Sequence, residues 1–374
     1  MGSNYMLVKE KQNKEMLIEI KKRFNELVLT GKKLSRENKC LLCNNSSSNL
    51  VSSHSIPQYI LNSISENGYL YNPGAVNDDT NFILDKQCGQ KKTGTFYLLC
   101  SNCDKTVFKY YEEYFEINNL FEKIKNRKID TYVFKQLASI YLKSLLKEYY
   151  TKSIDVYVHA ELSKEYKRKG IYNGSNMSKV AKLNLQDYKI DIDYCKEVID
   201  GTSDKCMTLI DYIELNYTVP FTTQAIIAIQ KDLKGKVIND VFNMSKDYHI
   251  SELSICVFPI KGKTHILIFT LGKNKQVYGS FISQYKKLSK QDRLQLIQVL
   301  LFAYTEEIYI DEYLYNIFEK DKVMSSCIAE GVGVSSSYEI GPFIVDRGGE
   351  VFIEDYKNMK KCYFDRKYSK EFRH

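Results

Sequence analysis

The segments CLLC at 40–43, SSHSIPQYIL at 52–61 and LLCSNCDKTVF at 98–108 carry the reading of this chain. A tight C-x-x-C turn aims two thiolates at one ion, and two such turns complete a tetrahedral sulfur site. Cys40, Cys43, Cys100 and Cys103 are therefore the expected ligands of a structural zinc ion. The first pair sits at an expected β-hairpin knuckle and the second opens a helical pattern. Knuckle followed by helix is the order that a treble clef requires. The residues between Cys43 and Cys100 must then form an excursion that the metal holds at both ends. Cys88, Cys195, Cys206, Cys256, Cys327 and Cys362 lack such pairing and read as structural or incidental. Cys88 competes as a ligand, but without a partner at C-x-x-C spacing.

Working outward, the 374 residues exceed one typical domain, so two or three packed units are expected. Hydrophobic residues at 44% and charged residues at 27% suit a globular protein, so disorder is not the default for any long stretch. There is no run of about 18 apolar residues, which argues against a membrane span or membrane partner. The first 19 residues alternate charge and apolarity, with none of the continuous apolar stretch of a secretory leader. Ten cysteines in such a chain point to a reducing cytoplasm, where paired cysteines read as metal ligands before disulfides. A net charge of +8 is compatible with nucleic acid as a partner without demanding it. Thirty tyrosines and no tryptophan, among many Lys, Asn and Ile, reflect coding bias rather than a base-stacking set.

Met16, Ile20, Phe24, Leu27 and Val28 stand at helical spacing within 9–30, and that helix is expected to end near Gly31. A basic connector follows, its Lys and Arg residues read as a solvated face. The Gly-, Asn- and Asp-rich stretch 67–95 reads as a long loop. Residues 105–150 turn helical, with two or three helices, and 151–200 read as polar, with 166–179 an exposed loop. Pro220 should separate two elements. LSICVFPI (253–260), THILIFTL (264–271) and QVYGSFIS (276–283), joined by short Gly-containing links, predict antiparallel hairpins. One helix is expected over 291–318, and short edge strands after Gly331. The lysines at the hairpin tips, Lys261, Lys263, Lys273 and Lys275, suit phosphate contact or simple solvation.

The fold class is thus α+β: 1–37 an N-terminal helix and basic connector, 38–120 the zinc module, 121–250 a helical region. Residues 251–374 form an antiparallel sheet plus helix that serves recognition or packing. No phosphate-binding glycine loop occurs, and the serines at 335–337 have no histidine nearby in sequence.

The order Cys40-Leu-Leu-Cys43, Ser53-His54-Ser55-Ile56-Pro57, Leu98-Leu99-Cys100-Ser-Asn-Cys103-Asp104 and Glu112-Glu-Tyr-Phe115 resembles a group of bacterial HNH-like zinc proteins. The resemblance covers about a quarter of the chain, 38–120, and the Ser-His-x-Ile-Pro element is its most specific part. It implies a zinc-stapled ββα-metal endonuclease core that cleaves phosphodiesters in DNA or RNA, in a setting of phage–host conflict. His54 would be the general base, a role that suits an imidazole near neutrality. A divalent ion, Mg2+ or Mn2+, would stabilise the leaving oxygen. The pattern's middle Asn, which orients the base, falls where this chain has Gly94-Thr95-Phe96-Tyr97, and Asp104 replaces its final His. Asp104 and Glu112 are the candidate ligands for a catalytic ion. Their eight-residue separation puts them about 12 Å apart along a helix, too far to share one ion easily. Asp104 alternatively caps that helix. His54 alternatively satisfies backbone groups or ligates zinc. The same fold without its chemistry, a zinc-stabilised interaction protein with a protein partner or a second copy, is the competing expectation.

Overall fold

The computed structural model describes residues 22–36, 39–45, 50–73, 87–168, 177–241, 243, 245–321, 324, 339–340, 343–344, 356–357, 359 and 361–372. Met16, Ile20, Cys327, the 335–337 serines and most of the tail after Gly331 lie outside these residues, as does the centre of the expected 166–179 loop.

Helix α1 runs over 22–34, three residues beyond the glycine expected to end it. Gly31 is instead a contact point, since a Cβ there would sit 3.0 Å from Ile154 Cγ2. A short turn holding Cys40 and Cys43 leads to β1 (Leu50–His54) and α2 (Gln58–Ile64). The stretch expected as loop contributes two short strands, β2 (Tyr69–Tyr71) and β3 (Gln87–Gly89). Then come β4 (Thr95–Cys100), α3 (Ser101–Glu112) and α4 (Tyr114–Lys125). Strand β1 pairs antiparallel with β4, from Leu50 opposite Cys100 to His54 opposite Thr95.

The polar segment 151–200 is helical over its described residues, 151–168 and 177–200. It belongs to a helical hairpin, α5 (Thr131–Arg168) and α6 (Met177–Asp200). The first part of α5 falls in the stretch read as helical; its continuation past residue 150 escaped because only Ile154 and Val158 are buried between 151 and 165, too few to mark an apolar face. Strands β5 (Met207–Leu215) and β6 (Phe221–Ile227) follow, with Pro220 between them, inside the region expected to be helical. β7 (Leu253–Ile260) and β8 (Lys263–Leu271) form the expected hairpin.

The third expected strand does not exist. Residues 276–283 enter α7 (Gly279–Tyr285), where the N-cap Tyr278 and then Phe281 and Tyr285 are buried at helical spacing. Their β-formers misled because strand propensity is mostly a record of packing context. The single helix expected over 291–318 is α8 (Lys290–Tyr304), β9 (Ile308–Ile310) and α9 (Glu312–Phe318). A two-stranded hairpin joins residues 339–340 to 343–344.

The main sheet is antiparallel, in the order β3-β2-β9-β6-β7-β8-β5. It is therefore not confined to the C-terminal region, because β2 and β3 lie within the excursion between the two cysteine pairs and β2 pairs with β9, Tyr71 opposite Ile310. Side chains alternate across strands. Cys256, Phe258 and Ile260 enter the core shared with α3, α4, α5 and α6, while Ile255 and Val257 enter the core under α7, α8 and α9. A sheet covered on both faces reads as a continuous apolar run, which is how LSICVFPI was recognisable. No helix among the described residues is long and apolar enough to cross a membrane.

Candidate metal centre and adjoining charge network

The cysteine turn is built by main-chain bonds. Cys40 N donates to Asn45 O at 3.1 Å, and Asn44 N to Cys40 O at 2.9 Å. Asn44 takes a positive φ of 56°, the left-handed conformation that Asn tolerates. Leu41 N donates to Leu98 O at 2.9 Å, fastening the turn to β4. At the other end, Cys100 is the N-cap of α3, its sulfur accepting from Cys103 N at 3.5 Å. The capping role expected of Asp104 therefore falls to a thiol. The four Sγ atoms of Cys40, Cys43, Cys100 and Cys103 lie within 4.8 Å of one another.

An ion with sulfurs at about 2.3 Å in a tetrahedron needs them roughly 3.8 Å apart. Cys43 and Cys100 are 3.9 Å apart, so the spacing fits. Burial opposes ionisation of Cys40, but main-chain donors at Cys100 and Cys43 outweigh it and hold the thiol down to about 7. Burial and the neighbouring thiols push Cys103 up. One thiolate thus forms readily and suppresses the next, a conflict that a divalent cation relieves. Cys88 lies on β3 in the main sheet, and neither it nor His54 belongs to the cluster.

His54 ends β1, half-buried, with Nε2 3.1 Å from Lys91 O. A carbonyl only accepts, so Nε2 carries the proton and Nδ1 presents its lone pair. Burial lowers the His54 pKa, helped by the Lys143 ammonium and opposed by Asp104, so the ring is neutral at pH 7. The Lys91 carbonyl thus does the orienting that the expected pattern gives to a side-chain Asn.

Lys143 governs the rest of the site. Its ammonium, on a side chain 1% exposed, lies 2.6 Å from Asp104 Oδ1 and 2.9 Å from Glu112 Oε1. Ser53 Oγ also donates to Asp104 Oδ1, at 2.7 Å. The ring of Phe108 lies under the ammonium at 4.0 Å. Asp104 and Glu112, expected to be too far apart for one cation, both reach this one. Burial raises the Glu112 pKa and outweighs the ammonium beside it. One turn along α5, Lys147 pairs with Glu307 Oε1 at 2.6 Å, and Ser55 Oγ donates to Glu307 Oε2 at 3.1 Å.

The Ser-His-Ser tripeptide therefore has two faces. Ser53 on β1 and Ser55 just past its end are 1% and 0% exposed, and each grips a carboxylate neutralised by a lysine of α5. His54 turns the other way. Lys143, Lys147 and Glu307 escaped the sequence reading. Two lysines four residues apart in an otherwise apolar run, LASIYLKSLLK, were the available signal.

Gly94 makes this approach possible. It has φ +63°, and a Cβ there would lie 2.4 Å from Ser55 Oγ. Gly94→Ala should cost about 2 kcal/mol, combining a left-handed backbone with displacement of the serine. Chemical denaturation of the two proteins measures it, and equal stabilities would refute this account of the turn.

No protein-family profile, curated protein or solved structure matches the chain.

Proposed function

We propose that Cys40, Cys43, Cys100 and Cys103 hold zinc in a treble clef, and that the chain is a zinc-stabilised nucleic-acid-binding protein of HNH-like ancestry rather than a metal-dependent nuclease. One observation carries the second half: the Lys143 ammonium already sits on both carboxylates that a catalytic Mg2+ or Mn2+ would need. A divalent ion beside a fixed, buried ammonium meets repulsion where it needs ligands. Zinc supplies structural cross-linking in this reading, and the residues around it form the binding surface. Lys39, Lys91, Lys92 and Lys105 are exposed on the module, and none has a carboxylate at ion-pair distance among the described residues. Such a set suits a polyanion, with contacts to phosphates rather than base edges.

The nuclease reading is kept for a specific reason. His54 is neutral, partly exposed and oriented by the Lys91 carbonyl, which are the properties of a general base. Supercoiled plasmid and single-stranded RNA, incubated with Mg2+ or Mn2+, separate the two. The expected result is salt-sensitive binding and no cleavage by zinc-loaded protein. Metal-dependent cutting that disappears in His54→Ala, with zinc content unchanged, would establish His54 as the base and overturn the binding reading.

A further inference from the structure

Outside the cysteine module, a cavity of about 530 Å3 lies where the end of β5, the start of α8 and the C-terminal tail meet. Its volume falls within the range of small-molecule sites, roughly 300–1,000 Å3. The floor is apolar, formed by the buried Leu215 and Leu294. The rim is polar and exposed, formed by Lys290, Arg366 and the side-chain amides of Asn216 and Gln291.

The positive charges at the rim are unmatched. Lys290 Nζ donates to the main-chain O of Glu214 at 3.4 Å, and the Arg366 guanidinium lies over the Phe372 ring at 4.5 Å. Neither cation has a carboxylate at ion-pair distance among the described residues. The acids close by are engaged elsewhere. Glu214, which lines the cavity, pairs with Lys125 and, at 3.0 Å, with Lys263. Asp365 accepts from Gln291 Nε2 at 3.3 Å. Arg366 is also anchored by the chain around it. Before it, Phe364 O accepts from the Tyr217 hydroxyl at 2.7 Å, and after it, Lys370 N donates to Thr218 O at 3.1 Å. A site fixed in this way before it is occupied loses less freedom on binding.

Two cations on separate elements, one of them a planar fork, suit the several oxygens of a phosphate dianion better than a single carboxylate. The leucine floor and the Tyr217 side chain offer apolar surface to a flat body, and the Asn216 and Gln291 amides carry donors and acceptors for the edge of a heterocycle. We propose that this cavity binds a nucleoside monophosphate, its phosphate between Lys290 and Arg366 and its base over Leu215 and Leu294. Lys290 and Gln291 also open α8, whose first main-chain N–H groups have no acceptor within the helix and favour an anion. None of these residues belongs to the cysteine module, so the site stands or falls apart from nucleic-acid binding there. A free nucleotide and the 5′-phosphorylated end of a strand share the chemistry it recognises.

Titration calorimetry with AMP, GMP, CMP and UMP tests this, the matching nucleosides and inorganic phosphate serving as controls. The expected result is saturable binding of at least one nucleotide, with its nucleoside and inorganic phosphate about tenfold weaker or more. Affinity should fall by a similar factor, about tenfold or more, in Lys290→Gln and in Arg366→Gln. Both side chains are exposed, so both variants should keep the parent's melting temperature, which confirms that they are folded. Failure of all four nucleotides to bind at millimolar concentration would overturn the proposal, as would binding that survives both substitutions. A nucleoside as tight as its nucleotide would remove the cations from the site, and inorganic phosphate as tight would remove the base; either result overturns it. With binding established, a trinucleotide carrying a 5′-phosphate identifies the source: tighter binding than the mononucleotide assigns the site to strand ends, weaker binding to the free nucleotide.

Discussion

Stripping the metal with a strong chelator should melt the module that carries His54. Purified protein should contain one zinc per chain, and Cys103→Ser should lose it. Structural zinc contributes roughly 10–16 kcal/mol of binding free energy in small zinc-finger peptides. Only part of that is at stake here, because α5 also packs against the module, where Phe96, Leu98, Leu99 and Phe108 are fully buried. A loss of several kcal/mol would still rival the whole net stability of a typical domain. Circular dichroism should report partial unfolding on chelation, reversed by zinc and not by Mg2+, since thiolates prefer softer ions. Protein that purifies without metal and is indifferent to Cys103→Ser would reduce the four cysteines to ordinary buried thiols.

Replacing Lys143 should be the most damaging single change away from the cysteines. Lys143→Ala removes the ammonium from Asp104 and Glu112 and leaves their charges facing each other beside a cavity. Losing one member of a buried ion pair typically costs about 3–5 kcal/mol. The lower end applies, because the Asp104 and Glu112 side chains retain 23% and 30% exposure. Millimolar Mn2+ should return part of this stability to Lys143→Ala and none to the parent, because the vacated position offers a cation two carboxylates and the Ser53 hydroxyl. Urea midpoints of the two proteins with and without Mn2+ provide the measurement. A Lys143→Ala protein as stable as the parent would mean that the ammonium neither holds the site nor excludes an ion from it.

The two findings differ in how far the sequence announced them. The sulfur cluster was legible because its geometry is local, each pair being a turn of four residues. The pairing of β7 with β8 was legible for the same reason, three residues separating two apolar runs. Lys143 was not legible. Its partners lie 31 and 39 residues away on another helix, and nothing in IYLKSLL distinguishes a buried ammonium from a surface one. The identity of Asp104 and Glu112 as paired carboxylates was within reach, but the cation between them was not. The 276–283 strand failed because Val277 and Phe281 favour extended backbone only when a neighbouring strand is available. That edge of β8 is taken by β5, from the far side of the chain. The first half of α5 was legible as part of the helical stretch to residue 150, and its continuation was not, because the mostly polar residues after 150 offer too few apolar positions to mark a face.

The pairing of β2 with β9 has a consequence for how the protein is made. The cysteine turn, β1, β4 and the start of α3 leave the ribosome early, so the four-cysteine knuckle can form while most of the chain is still unsynthesised. Ser55 must wait for Glu307, 252 residues later, and β2 must wait for Ile310. At ordinary elongation rates that delay is on the order of tens of seconds. Throughout it, the nascent chain carries a finished knuckle beside strands whose neighbours do not yet exist. Two such chains on one polysome present each other with the same unpaired edges, and strand exchange between them is the hazard that this topology creates.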